Sequence, residues 1–284
     1  MNIKKYLGTA LACVLLGAVL AGCGGEEKGK TAENKDLPIG VLAHLNASEE
    51  QYNEFAKQAE KQYSKPGQFA HEFIYYDNLN AMEMALSAGK IKEMSTYKSV
   101  ADYLIMRNGE FVISDHGGRV LADAFCCALS AQESELKAQF DQVIDDMKKD
   151  GTLKALADTY ITGLKDGAEP PAVELPRLDG AGTIKVGVTG DLPPLDLVLP
   201  DGKAAGFSTA VLAELSRRVG KNVEIVNIDS AARASALTSG KVDVVFWVAV
   251  PADGSFLPGN ADTPQGIVVT KPYYEDVIVH VTKK

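Results

Sequence analysis

Two stretches of the chain alternate short apolar strands with amphipathic helices, and this alternation constrains the fold more than any other feature. The first stretch opens with the strand "PIGVLAHL" (38–45), and the second opens with "TIKVGVTG" (183–190). Because strands that alternate with helices form βαβ units, the sequence predicts an α/β protein with two lobes, a mainly parallel sheet in each lobe and helices on both faces. The predicted helices lie at about 48–63, 78–88 and 97–107 in the first stretch and at about 208–219 and 230–239 in the second.

A long amphipathic helix lies between the two stretches, from Glu133 to Lys149. Asp150-Gly151 ends it, and "TLKALADTYI" predicts a second, short helix. Residues 166–181, "DGAEPPAVELPRLDGA", contain several Pro and Gly without a period and are interpreted as a connector. The long helix is predicted to bury one apolar face, formed by Leu136, Phe140, Val143, Ile144 and Met147.

The first 22 residues have the pattern of an export signal. Lys4 and Lys5 precede an apolar run that ends in "LAGC", and this run is too short for a typical membrane-spanning helix. Cys23 directly after Leu-Ala-Gly resembles the bacterial lipoprotein signal, which implies cleavage before Cys23 and lipid attachment to it. An ordinary secretory signal with an incidental Cys is the alternative.

The predicted mature chain is acidic and long enough for two modest lobes or one large domain. Cleavage would remove Lys4 and Lys5 and no acidic residue, so the net charge of −9 would become −11. Such a charge makes nucleic acid an improbable partner. Residues 23–36 are polar and contain Gly, and they are expected to form a flexible tether.

The Cys and His residues do not predict a metal or cofactor site. Cys126 and Cys127 are adjacent in the apolar stretch "VLADAFCCAL" and are interpreted as small core residues, with a strained vicinal disulfide as the alternative. The four His residues lack the spacing of metal ligands. They are His44, His71, His116 and His280.

The carboxyl ends of the predicted strands locate a candidate ligand site, because open α/β sheets bind ligands there. The two sets of strand ends are expected to face one another across a cleft that admits a small-molecule solute. The strand ends of the second stretch are 191–195, 229–233 and 247–251, and those of the first are 43–46, 77–78 and 95–97.

Three residues of the second stretch carry specific expectations. Trp247, the only Trp of the chain, is predicted either to form one wall of the pocket or to pack in the core. Arg233 is predicted either to hold a carboxylate by a bidentate pair or to be a solvated residue on its helix. Asp191 is predicted either to receive an ammonium group or to cap a turn.

Six further residues complete the predicted ligand-binding set. Leu195 and Ala249 belong to the strand ends of the second stretch, and the others would supply the opposing contacts. Asn46 is equally suited to capping the helix that begins there. The opposing residues are His44, Asn46, Thr96 and Tyr97.

Residues 183–284 contain three characteristic segments, "TIKVGVTGDLPPLDLVLPDGKAAGFSTAVLAELSRRVG", "RASALTSGKVDVVF" and "VTKPYYED". These segments resemble the extracellular solute-binding proteins of bacterial ABC importers, specifically the polar amino acid-binding group with the type II periplasmic-binding fold. The resemblance implies a lipid-anchored extracytoplasmic protein that captures a small polar or amino acid-like solute between its lobes and delivers it to an ABC permease. Within the resemblance, Arg233 matches an Arg that many members carry before Ala-Leu-x-Ser-Gly-Lys.

The order of the parts differs from that family. Residues 133–163 resemble the helices that close the family's larger lobe, yet here they precede its opening strand. We therefore expect a circular permutation, with a smaller lobe at 37–118 and a larger lobe formed by 119–165 and 182–284, joined by the connector 166–181. A tandem of two degenerate binding modules is the alternative.

The resemblance also has a gap at the predicted site. After "VFWVAV" the family has a Thr-x-x-Arg segment whose Arg grips the α-carboxylate, whereas this chain has "PADGSF". The expectation of an α-amino acid is therefore weakened, and a less polar or differently charged ligand becomes an alternative.

The sequence contains no recognised catalytic motif, and we therefore expect that the protein is not an enzyme. Two alternatives remain open. One is an enzyme that uses the same cleft, similar to the cyclohexadienyl dehydratases, and the other is a ligand-sensing lipoprotein.

Overall fold

The computed structural model describes residues 38–42, 73–114, 122–165, 167–252 and 265–284, which form an α/β structure. All of them belong to one compact unit, Asn34–Lys284. The predicted signal peptide, the tether, the helix at 48–63 and three predicted residues (Cys23, His44 and Asn46) lie outside the described residues. Within the described part of the chain, no helix has the length and apolarity needed to cross a membrane.

The described helices and strands follow the predicted alternation. The helices are α1 (Leu79–Ser87), α2 (Lys98–Arg107), α3 (Ser134–Lys149), α4 (Thr152–Ala157), α5 (Phe207–Val219) and α6 (Arg233–Thr238). The strands are β1 (Ile39–Leu42), β2 (Phe73–Tyr76), β3 (Glu93–Tyr97), β4 (Phe111–Ile113), β5 (Ala122–Ser130), β6 (Thr183–Val188), β7 (Asp191–Leu192), β8 (Asp196–Val198), β9 (Ala204–Ala205), β10 (Asn222–Asn227), β11 (Val244–Pro251), β12 (Ile267–Val269) and β13 (Tyr274–Lys283).

The main sheet has two parallel sets of strands joined by antiparallel ones. Its order is β10-β6-β11-β5-β13-β3-β1-β2. Two short strands lie outside this order: β12 pairs with β5, and β4 pairs with β13. In the first half of the sheet β1 is parallel to β2 and β3, and in the second half β6 is parallel to β10 and β11. The predicted α/β fold with parallel strands in each lobe is thus observed, and β5 and β13 make the complete sheet mixed.

The carboxyl ends of the two parallel sets point toward one another. Strand β13 is antiparallel to β3, with Ile278 opposite Tyr97, and antiparallel to β5, with Tyr274 opposite Phe125. Because β5 is also antiparallel to β11, the end of β11 and the end of β3 both approach the middle of β13. This opposition places the candidate site where the two halves meet.

Strand β13 is shared between the halves, because its first part pairs with β5 and its last part pairs with β3 and β4. A boundary between lobes that is placed in the sequence assigns each strand to one lobe, whereas β13 belongs to both halves. The lobe assignment and the circular permutation stay predictions.

Helix α3 packs against α5 and α4. Its five predicted core residues are buried, which confirms the predicted apolar face. Helix α3 precedes the connector 166–181 and helix α5 follows it, so their contact joins sequence regions on either side of the connector. In that connector the main chain of Leu178 exchanges hydrogen bonds with the Asn222 side chain at 2.8 and 3.0 Å, so the connector is held against the second half.

Gly206 allows α5 to begin directly beneath the turn that precedes it. Its φ is +96°, and an added Cβ would lie 2.7 Å from the carbonyl oxygen of Pro194. The backbone N–H of Phe207 donates to that same oxygen at 3.0 Å. Gly is required here because any side chain would separate the helix from the turn that leads into the candidate site.

Cys126 and Cys127 are free and buried in β5, so their interpretation as core residues is confirmed. Burial raises the pKa of the Cys126 thiol to about 12, which keeps it protonated and unreactive at neutral pH. Among the described residues, no group of three or more His, Cys, Asp or Glu side chains is arranged to hold a metal ion.

Candidate functional site

A polar cavity of about 530 Å³ lies at the opposed carboxyl ends of the strands. We call its lining the polar mouth. The first half contributes the residues that follow β2 and begin α1. The second half contributes residues at the ends of β6 and β10 and one residue that precedes β11, Lys241. The lining residues are Asp77, Asn78, Asn80, Thr189, Asp191, Asn227, Ile228, Asp229, Ser230, Ala232 and Lys241.

Asp191 connects the two halves at the polar mouth. It begins β7, which contacts α1 of the first half. Burial raises the pKa of Asp191, while the positive charge of Arg233 lowers it. The neighbouring Asn78 caps α1, because its Oδ1 accepts the N–H of Ala81 at 2.8 Å. The helix N-terminus and an acidic side chain of the opposite half thus meet in the cavity.

Asp196 holds the turn that presents Thr189 and Asp191 to the cavity. Its buried carboxylate accepts the backbone N–H and the hydroxyl of Thr189 at 3.1 and 3.0 Å and the N–H of Gly190 at 2.9 Å. Burial raises the pKa of Asp196 to about 6, although these hydrogen bonds lower it. Asp196 was not among the residues predicted from the sequence, although an Asp between Leu195 and Leu197 in an apolar run was a signal for it.

The inner end of the interface is filled by side chains, and we call these side chains the aromatic junction: Tyr97, Phe125, Arg233 and Trp247. The ring centroid of Trp247 lies 5.4 Å from that of Phe125 and 6.2 Å from that of Tyr97. Trp247 is only 5% exposed, so its surroundings agree with the alternative that it packs in the core. Its Nε1 is buried and has no hydrogen-bond partner among the described residues.

Arg233 is held by the protein itself. It is 4% exposed, and its Nε and one terminal nitrogen donate to the carbonyl oxygens of Ser230 and Trp247, both at 3.1 Å. Its guanidinium carbon also lies 4.9 Å from the centroid of the Trp247 ring, within the range of a cation–π contact. The interpretation of Arg233 as a solvated surface residue is therefore wrong, and its role as a carboxylate ligand stays a prediction.

On the other side of the junction, Tyr97 precedes α2 and donates its hydroxyl to the carboxylate of Asp123 at 3.0 Å. The first turn of α2 is anchored on β13, because Asp276 accepts the N–H of Ser99 at 3.1 Å and its hydroxyl at 2.5 Å. Burial raises the pKa of Asp276 in spite of these bonds. Thr96 is buried in β3, and its hydroxyl has no partner among the described residues.

The structure brings part of the predicted ligand-binding set to the cavity. Asp191 lines it, together with the predicted strand-end positions Asp77, Asn78 and Asp229. Six other predicted residues are not among the described lining: Leu195, which is 1% exposed in the core, Ala249, which pairs with Phe125 in the sheet, and Thr96, Tyr97, Arg233 and Trp247. All of these assignments to ligand binding stay predictions.

Sequence analysis also missed lining residues. Lys241 follows Gly240 in the helix-Gly-Lys-strand unit, and Asn80 lies in the first turn of α1. The strand-end rule gave no signal for Lys241, because this residue precedes β11 and does not follow a strand. Asn80 had no such signal either, since its contact with the cavity depends on how the two halves meet.

Residues 184–249 match the model of the bacterial extracellular solute-binding proteins, family 3. This segment begins at β6 and ends within β11, so it includes every residue that the second half contributes to the polar mouth. No curated protein matches the chain.

Several solved structures have similar folds over most of the chain. A ligand-binding component of an ABC-type import system from Staphylococcus aureus, with zinc bound, is 12% identical with a TM-score of 0.42, and the match covers 87% of this chain and 65% of that one. The methionine-binding protein MetQ is 15% identical with a TM-score of 0.44, covering 89% and 84%. The BvgS VFT2 domain of Bordetella pertussis is 13% identical with a TM-score of 0.42, covering 89% and 82%.

Proposed function

We propose that the chain is an extracytoplasmic solute-binding protein that captures a small polar solute in the polar mouth. The observation that carries this proposal is a cavity of about 530 Å³ lined by residues of both halves at the opposed carboxyl ends of their strands. Cavities of this size are typical of sites for small molecules. The match of residues 184–249 to a solute-binding family supports the same function.

The proposed mechanism is closure of the two halves over the solute. Asp77 and Asn78 lie on one side of the cavity, and Asp229 and Ser230 lie on the other. A solute that touches both sides only in the closed form shifts the equilibrium toward that form. The contact between α1 and β7 already joins the two sides next to this cavity.

Delivery and anchoring complete the proposal. The lipoprotein-like signal at Cys23 would attach the protein to the outer face of a bacterial membrane, and the closed form would dock on an ABC permease. Replacing Cys23 with Ser tests the anchor, because the variant should move from the membrane fraction to the soluble extracytoplasmic fraction. An unchanged membrane fraction would contradict lipid attachment at this residue.

The binding function is tested first by native mass spectrometry of the purified protein, which should reveal a co-purified small molecule. Trp247 then provides a fluorescence signal, because it is the only Trp and lies at the junction of the halves. Titration of the identified solute should change this fluorescence, and calorimetry should give the same affinity. A Trp247→Phe variant should lose the optical signal and retain the heat of binding.

The Asp191→Asn variant should weaken binding of that solute, because it removes a negative charge from the lining of the cavity. Asp179→Asn is the matched control, since Asp179 is exposed in the connector and does not line the cavity. Equal affinities of both variants and the wild type would place the ligand elsewhere. Recovery of the solute in altered chemical form would support the enzyme alternative.

A further inference from the structure

We infer that the polar mouth selects a solute with a net positive charge, an amine or guanidinium compound without an α-carboxylate. This inference rests on the proposed function and names the ligand class of the same cavity. It starts from the charges of the described lining. Three carboxylates line the cavity, those of Asp77, Asp191 and Asp229, and Lys241 is the one cation among the described lining residues.

The two sides of the cavity share the negative charge. Asp77 belongs to the first half, while Asp191 and Asp229 belong to the second. A cation between them is attracted by both halves at once, which also favours the closed form. Carboxylates on a single side would attract a cation without favouring closure.

Burial raises the pKa of Asp191 and the charge of Arg233 lowers it, but the known hydrogen-bond donors of Arg233 do not face the cavity. Its donors are directed to the carbonyl oxygens of Ser230 and Trp247, and its face lies over the Trp247 ring. These groups are buried, and Arg233 is not among the described residues that line the cavity. The buried Asp196 adds a further carboxyl group directly behind the turn that carries Asp191.

The remaining lining is neutral and suits an N–H donor. Asn80 and Asn227 offer amide oxygens, and Ser230 and Thr189 offer hydroxyl oxygens. Amine and guanidinium groups carry several N–H donors and no acceptor, so they can use these oxygens together with the carboxylates. The carboxylate of an α-amino acid would be left with Lys241 as its one cationic partner in the described lining.

The inference is tested by calorimetry with three probes at one low ionic strength: agmatine, L-arginine and L-glutamate. Agmatine and arginine differ only by the α-carboxylate, so their ratio of affinities measures the contribution of that group. We expect agmatine to bind at least about fivefold more tightly than arginine, and we expect glutamate not to bind. The reason is that the α-carboxylate of arginine and the two carboxylates of glutamate are repelled by the excess negative charge of the cavity.

Charge variants of the protein give a second readout with opposite signs. Asp229→Asn should weaken agmatine binding about two- to fivefold, and Lys241→Gln should strengthen it by a similar factor. Asp179→Asn, outside the cavity, should leave the affinity unchanged. Thermal unfolding of each variant shows whether it is folded, and both cavity positions are exposed, so substitution should not disturb the core.

The outcomes separate this inference from the proposed function. Tight agmatine binding with these signs supports both. Glutamate binding that is lost in Lys241→Gln, or arginine binding that exceeds agmatine binding, overturns the charge selection and leaves the solute-binding function in place. Failure of all three probes, together with the absence of any co-purified small molecule, overturns both.

Discussion

The aromatic junction and the polar mouth lie at the same interface between the halves, yet they differ in almost every physical property. Arg233 and Trp247 of the junction are 4% and 5% exposed and contact one another, whereas Asp77, Asp229 and Lys241 of the mouth are exposed. The guanidinium of Arg233 has partners inside the protein, whereas the charges of Asp77, Asp229 and Lys241 face solvent. Burial should therefore make the junction important for stability, and charge should make the mouth important for recognition.

The largest expected effect is at Trp247. Trp247→Ala should lower the free energy of unfolding by about 3–5 kcal/mol, because it removes a buried ring from contact with Tyr97, Phe125 and Arg233. Urea unfolding followed by circular dichroism measures it. Trp247→Phe is the control and should lose much less, since the indole Nε1 has no partner among the described residues. A loss below about 1 kcal/mol for Ala would remove the distinction between junction and mouth.

Arg233→Ala should cost about 2–3 kcal/mol, because it leaves the carbonyl oxygens of Ser230 and Trp247 buried without these donors. The matched control is Arg217→Ala on α5, whose guanidinium is exposed and pairs with Glu214 on the helix surface. That control should change stability by no more than about 0.5 kcal/mol. Equal effects of the two substitutions, measured by the same unfolding experiment, would show that burial of Arg233 contributes nothing.

Asp196 behind the mouth should make stability depend on pH. Its pKa is raised from 3.8 to about 6 by burial, so between about pH 4 and pH 6 the folded state binds more protons than the unfolded state. Lowering the pH from about 7 to about 4 should therefore raise this residue's contribution to stability, by on the order of 2 kcal/mol. The difference in unfolding free energy between wild type and Asp196→Asn, measured across that range, should show this slope.

A slope of the opposite sign would mean that the hydrogen bonds from Thr189 and Gly190 outweigh the cost of burying the charge of Asp196. Asp179→Asn serves as the control for this titration, because Asp179 is exposed and lies in the connector. Its unfolding free energy should follow that of the wild type at every pH.

The smallest effects on stability are expected at the polar mouth. Asp229→Asn and Lys241→Gln should each change the unfolding free energy by no more than about 0.5 kcal/mol, since both side chains are exposed. Their effects should appear in solute affinity alone. A large loss of stability in either variant would show that the mouth, like the junction, holds the halves together.

The sequence predicted those features that depend on local pattern. The apolar face of α3 is buried because residues at helical spacing share one face whatever the helix packs against. Asp191 and Asp229, which follow β6 and β10, lie at one cavity because these parallel strands end at the same edge of the sheet. The position of Asp191 at the cavity could therefore be predicted from local pattern alone.

Other features could not be read from pattern. A strand gives no sign of which neighbour it will pair with, so the passage of β13 through both halves was not predicted. The same limit applies to Arg233, whose position at a helix start was predicted while its partners were not. Those partners are main-chain oxygens and a ring on β11, which only the packing of α6 on the sheet brings within reach.

The sequence by itself determined the order of strands and helices, the burial of the apolar faces and the edge of the sheet at which polar side chains collect, because these follow from periodicity and from the polarity of the main chain. Tertiary structure decided which part of that edge is closed by Tyr97, Phe125, Arg233 and Trp247 and which part is open to a solute. The physical reason is that contacts between residues distant in the chain depend on how two separately patterned halves meet, and neither half encodes that meeting alone.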